Sequence, residues 1–112
     1  MKLSSKTTII VPEKLYDYLL NHAHLDGASK AKFLAEIGYN QRNHHILEMD
    51  LRNQHLSLET LPGKLSIFGT KYEIVAPLVG PNGKKRWVRS IWMIRRGEET
   101  ANFITLVPEK KP

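Results

Sequence analysis

The chain has 112 residues, 41% of them apolar and 25% charged, with a net charge of +6 and no cysteine. That is the length of a single domain, here 1–112, able to bury one core, and the composition excludes disulfides, thiolate zinc sites and cysteine nucleophiles. No apolar run approaches the ~20 residues of a membrane span, and the apolar stretch behind the basic N-terminus is too short for a secretory signal, so a cytoplasmic protein is expected.

Residues 5–11, SKTTIIV, are β-branched and end at Pro12, which predicts a short strand or extended arm. The helical part is expected over 12–55. Pro12 suits a first helical turn, with Glu13 placed for the dipole. Leu15, Tyr18 and Leu19 then recur at helical spacing, and Asn21 ends the run. Asp26-Gly27 turns the chain, and Ser29 is placed to cap a second helix beginning at Lys30. Ala31, Leu34 and Ile37 form its inward stripe, with Gly38 at the C′ position. A third helix is expected from His44 to His55, capped by Asn43, with Leu47 and Leu51 one turn apart.

After residue 56 the period falls to 2, so the sheet is expected over 56–108, with a basic tail at 109–112. LSLETL alternates until Pro62-Gly63. GTKYEIVAPLV puts Tyr72, Ile74, Ala76 and Leu78 on one face and Lys71, Glu73 and Val75 on the other. Asn82-Gly83 predicts a hairpin with a type I′ turn. RWVRSIWMIRR and NFITLVP follow as further strands. The order gives an α+β fold, with two to three N-terminal helices packed on one face of a four-stranded antiparallel meander.

Charge is unevenly spread. Residues 82–112 hold eight Lys/Arg against three Glu, so +5 of the total +6 falls in this stretch. Such a field favours an anionic partner, although a solvated face would look the same. Lys84, Lys85, Arg86 and Trp87 form the densest basic stretch, and Trp87 could stack a base. Within RWVRSIWMIRR, Val88, Ser90, Trp92 and Ile94 face the core, while Trp87, Arg89, Ile91, Met93 and Arg95 share the open face. Arg89 in mid-strand is costly to bury alone, so it requires solvent, a phosphate or a carboxylate such as Glu73. Lys71 is expected on the same open side. Thr105 is placed on a face with Phe103 and Val107.

His55 is explained by a helix C-terminus, His44-His45 diverge on a helix, and neither His22 nor His24 has a carboxylate at zinc spacing. No metal site and no cofactor is expected. His24 stands out because Gly27 and Lys30 follow it closely. A lysine in a first helical turn opposes the dipole, an odd choice unless an anion sits there. Cations and imidazole without a metal suit RNA cleavage, in which the substrate's own 2′-hydroxyl is the nucleophile.

Taken in order, LYDYLLN, the His24-Gly27-Lys30-Ala31 spacing, GTKY at 69–72, APLVGPNG, VRSIW and ITLVP resemble an uncharacterised numbered bacterial family of unknown function. Its members stand alone beside antitoxin genes or close polymorphic toxins and phage head proteins. One departure is Leu25, where the family usually has proline. The family layout is similar to the barnase, colicin D and RelE-like ribonuclease toxins. The resemblance implies His24 as the proton-transfer residue, Lys30 and Lys71 holding phosphate, Arg89 stabilising the transition state and Thr105 orienting a phosphate oxygen. It implies a toxin acting on RNA, tRNA included, with a small acidic antitoxin as partner, and leaves a homodimer open. The alternative is a non-catalytic RNA- or protein-binding module of the antitoxin or immunity kind.

Overall fold

The structure is a computed structural model describing residues 1–112. A helix starts at Pro12 as expected, and its main turn is the π-helical α1, Lys14–Leu19. Leu15 and Leu19 point inward from it. α2, Ala28–Ala35, buries Ala31 and Leu34 and ends before Gly38, which takes φ +102°. α3, His44–Asp50, follows a 3-10 turn at Gln41–Asn43 and runs on into a π turn, Leu51–His55. No helix is long and apolar enough to cross a membrane.

Four strands complete the chain: β1 Lys64–Ser66, β2 Gly69–Val79, β3 Lys85–Arg95 and β4 Ala101–Pro108. They pair antiparallel in the order β1-β2-β3-β4, so the fold is the expected α+β meander with the helices first. β2 and β3 pair over their full lengths, with Tyr72 opposite Trp92 and Val75 opposite Arg89. Ile74, Ala76, Leu78, Val88, Ser90 and Trp92 are buried with Leu15, Leu34, Leu47 and Leu51 from the helices. The alternation along β3 therefore separates a helix-covered face from an open one.

Several local expectations are corrected. LSLETL is not the first strand: Leu56 is pulled into the core behind the π turn, and only Lys64–Ser66 pairs with β2. Residues 5–11 form no strand of their own. Ile9 bridges in parallel to Asn102, and Arg52 holds the arm through the carbonyls of Ser5 and Thr8 at 3.1 and 2.8 Å. Ser29 does not cap α2, which starts earlier, behind Gly27. Asn40, not Asn43, accepts the first amides before α3, from Arg42 and Asn43. The β2–β3 turn is not type I′. Gly83 donates to the Gly80 carbonyl at 3.0 Å and alone has positive φ, so a Gly80–Gly83 turn closed by a left-handed glycine makes the hairpin.

His55 is no dipole ligand at a solvated helix end. It is fully buried, with Nδ1 2.7 Å from Ser90 Oγ, which accepts the Trp92 indole N–H at 2.9 Å. Burial pushes its pKa down to about 4, against the pull of the Ala76 and Pro77 backbone. The folded state thus favours neutral His55. Its contribution to stability is whole above the unfolded pKa of 6.5 and is lost as pH falls from there toward 4. At about 1.4 kcal/mol per pK unit this is on the order of 3 kcal/mol. Urea unfolding should show wild type losing roughly that much more stability between pH 7 and pH 4 than His55→Gln, which lacks the titrating group.

Candidate functional site

The turn from α1 into α2 brings His24 and Lys30 to Tyr18, and β4 brings Thr105 to them. Gly27 lies so close to α1 that a Cβ there would meet the Tyr18 carbonyl oxygen at 1.9 Å. Its φ is −94°, so glycine is required for this approach and not for a left-handed turn. His24 closes the turn: its Nδ1 accepts the amide N–H groups of Asp26 at 3.0 Å and Gly27 at 3.1 Å. An Nδ1 that accepts places the neutral ring's proton on Nε2. The imidazole stands edge-on to the Tyr18 ring, with centroids 5.1 Å apart.

Lys30, in the first turn of α2, is held by two hydroxyls. Its Nζ donates to Tyr18 Oη at 2.5 Å and to Thr105 Oγ1 at 3.1 Å, and the two oxygens are 3.2 Å apart. Thr105 reaches this cluster at an irregularity in β4. The β3–β4 register shifts between Ile91 and Trp92, leaving Ile104 unpaired, so Phe103 and Leu106 both turn into the core. The expected alternation of Phe103, Thr105 and Val107 is thereby broken. Lys14 donates to the Ile104 carbonyl at 3.3 Å, and with Glu13 and Tyr18 it lines a shallow hollow beside the cluster.

Burial pushes the Tyr18 phenol up, but the Lys30 and Thr105 hydrogen bonds and the Lys30 charge outweigh it, leaving the pKa below the usual 10.0. By sequence alone Tyr18 reads as part of an apolar helical stripe. Its spacing carries no other signal, because its partners lie 12 and 87 residues away.

Arg89 and Lys71 stand elsewhere, on the sheet face turned from the helices. Arg89 Nε donates to Glu109 at 2.6 Å, and Nη1 lies 3.3 Å from Glu73. Glu73 is only 6% exposed and also pairs with Lys64 at 2.9 Å. Hydrogen bonding to Lys64, with the charges of Lys64 and Arg89, holds its carboxyl below the usual range despite burial. The carboxylate partner considered for Arg89 is thus the one it has, joined by a second. Lys71 makes no ion pair and lies opposite Met93. Lys84, Lys85, Arg86 and Trp87 sit at the β2–β3 hairpin, where Arg86 pairs with Glu36 at 2.7 Å. That hairpin meets the far end of α2, about 12 Å along the helix from its start. A cleft of about 650 Å³ is lined by Leu65, Ile67, Arg95 and Arg96 among others and contains none of these candidate residues. No group of three or more His, Asp or Glu side chains forms a metal site.

A family described as Domain of unknown function (DUF6883) matches residues 2–110. The fold is similar to that of a chain in the contact-dependent growth inhibition toxin–immunity protein complex from Klebsiella pneumoniae 342. That likeness has a TM-score of 0.71 at 20% identity, covering 91% of this chain and 100% of that one. No curated protein matches the sequence.

The two carboxylates on Arg89 make a distinct prediction. Arg89→Met leaves buried Glu73 with Lys64 alone and should destabilise the fold by roughly 1–3 kcal/mol. Lys71→Met, which breaks no pair, should stay within about 0.5 kcal/mol. Urea unfolding of both variants at neutral pH checks this.

Proposed function

We propose that this chain, which belongs to the DUF6883 family, is the toxin component of a bacterial toxin–antitoxin pair and cleaves RNA without a metal ion. The observation that carries the reading is the meeting of Lys30 and Thr105, 75 residues apart, with His24 one aromatic ring away. An ammonium group has three donors, and Lys30 spends two on Tyr18 and Thr105. The third is available to a phosphate oxygen. Thr105 orients a second oxygen, and the His24 Nε2–H donates a hydrogen bond to a non-bridging phosphoryl oxygen as negative charge develops there. With Nδ1 accepting from two amides, His24 presents Nε2–H to the substrate and enters here as a hydrogen-bond donor. Arg89, Lys71 and the basic hairpin at Lys84–Trp87 serve as flanking contacts for the strand, tRNA among the substrates that fit. The +6 charge suits a small acidic antitoxin as the cognate partner, and RNA as substrate places the protein in the cytoplasm.

One observation favours a second reading. The similar fold comes from a complex that contains an immunity protein as well as a toxin. A non-catalytic, immunity-like binding module would keep the basic surface and use no cluster chemistry.

Incubating the purified chain with total tRNA in EDTA separates the two. The toxin reading expects cleavage leaving 2′,3′-cyclic phosphate ends, reduced about 100-fold or more in Lys30→Ala and markedly in His24→Ala. Intact RNA with wild type, or equal cleavage by wild type and Lys30→Ala, would sink it.

A further inference from the structure

We infer that Tyr18 is the group that takes the proton from the attacking 2′-hydroxyl, with Lys30 and Thr105 holding its oxygen in place. This inference rests on the ribonuclease reading above. It answers a question that reading leaves, since His24 Nδ1 is bonded to the Asp26 and Gly27 amides and has no lone pair to offer. Lys30 is cationic, and a threonine hydroxyl is a poor base near neutral pH. Tyr18 Oη is the remaining oxygen of the cluster, 2.5 Å from the Lys30 ammonium and 3.2 Å from the Thr105 hydroxyl. Tyr18 also lines the hollow shared with Glu13 and Lys14, where a ribose could approach.

The step balances within the site. The Tyr18 phenolate accepts the 2′-hydroxyl proton as the 2′-oxygen forms its bond to phosphorus. The bond from phosphorus to the 5′-oxygen breaks, leaving a 2′,3′-cyclic phosphate. The departing 5′-oxygen takes a proton through water, and Tyr18 releases to that water the proton it gained, so none is consumed overall. Burial of the ring opposes the phenolate, and the Lys30 hydrogen bond, the Thr105 hydrogen bond and the Lys30 charge together outweigh it. The charged or titratable groups facing Tyr18 are Lys30 from α2, Asp26 and His24 from the turn, and Glu13 and Lys14 from its own helix; β4 contributes the uncharged Thr105. Glu13 and Asp26 are the rival bases.

Titration and cleavage measurements test the assignment. Ring carbon NMR of Tyr18 should give a titration below the ordinary tyrosine value, moving up in Lys30→Met; an ordinary value in wild type overturns the inference. Single-turnover cleavage should rise with pH toward the Tyr18 pKa. Tyr18→Phe should lower the rate about 100-fold while RNA affinity stays within about threefold. Asp26→Asn should cleave at a near wild-type rate. Replacing Tyr18 with a ring-fluorinated tyrosine, which ionises at lower pH, should move the rising limb of the profile downward. A profile unmoved by fluorination, or Tyr18→Phe cleaving like wild type, overturns the role of Tyr18 alone. Failure of the wild type to cleave RNA overturns the ribonuclease reading and this inference with it.

Discussion

One side chain sets the division on which the fold depends. Trp92 is fully buried in mid-β3, edge-on to Phe103 at 5.1 Å, with its indole N–H on Ser90. Core tryptophans are worth about 3–5 kcal/mol against alanine, more than any single surface contact supplies. Because side chains alternate along a strand, fixing Trp92 inward also fixes Val88 and Ser90 inward and Arg89 and Ile91 outward. A slip of one residue would bury Arg89 and expose the tryptophan. His55 reinforces the register from the helical layer, since its bond to Ser90 ties the end of the helical region to the same strand.

That division explains what the sequence could show. Faces of β2 and β3 were readable because the alternation is strict and both strands are long. Short or irregular pieces were not. LSLETL has a strand's pattern, but Leu56 is anchored by the turn that buries His55, which leaves the following residues to turn back toward β1. The Asn82-Gly83 pair looks like a type I′ turn, yet Pro81 and the packing of Asn82 against the end of α2, through Glu36 and Ile37, select a different one. Thr105 was assigned to a face by parity, and a register shift in β4 moved it off that parity.

The candidate site was legible in the same uneven way. His24, Gly27 and Lys30 are close in sequence, so their common turn could be read directly. Arg89 satisfied the stated need for a counter-charge, and the structure supplies two carboxylates, Glu73 and Glu109. Tyr18 could not be found, because at helical spacing with Leu15 and Leu19 a tyrosine looks like core. Its phenol is polar at one end only, and it is that end which meets α2 and β4.

Lys30 shows why this cluster stands out from ordinary packing. A cation in the first turn of a helix works against the dipole by about 0.3–1 kcal/mol. α2 has no acidic residue in its first turn and no side-chain cap to offset that cost. The ammonium is compensated by the oxygens of Tyr18 and Thr105, neither of which carries a formal charge in its ordinary state. A purely structural solution would place a carboxylate there, or an apolar residue, at lower cost. Gly27 adds to the expense, since a glycine beside a helix start gives up backbone entropy to admit the Tyr18 carbonyl. Local preferences are violated together at one point in an otherwise consistent chain. Such concentrations of unfavourable choices mark a candidate site for chemistry.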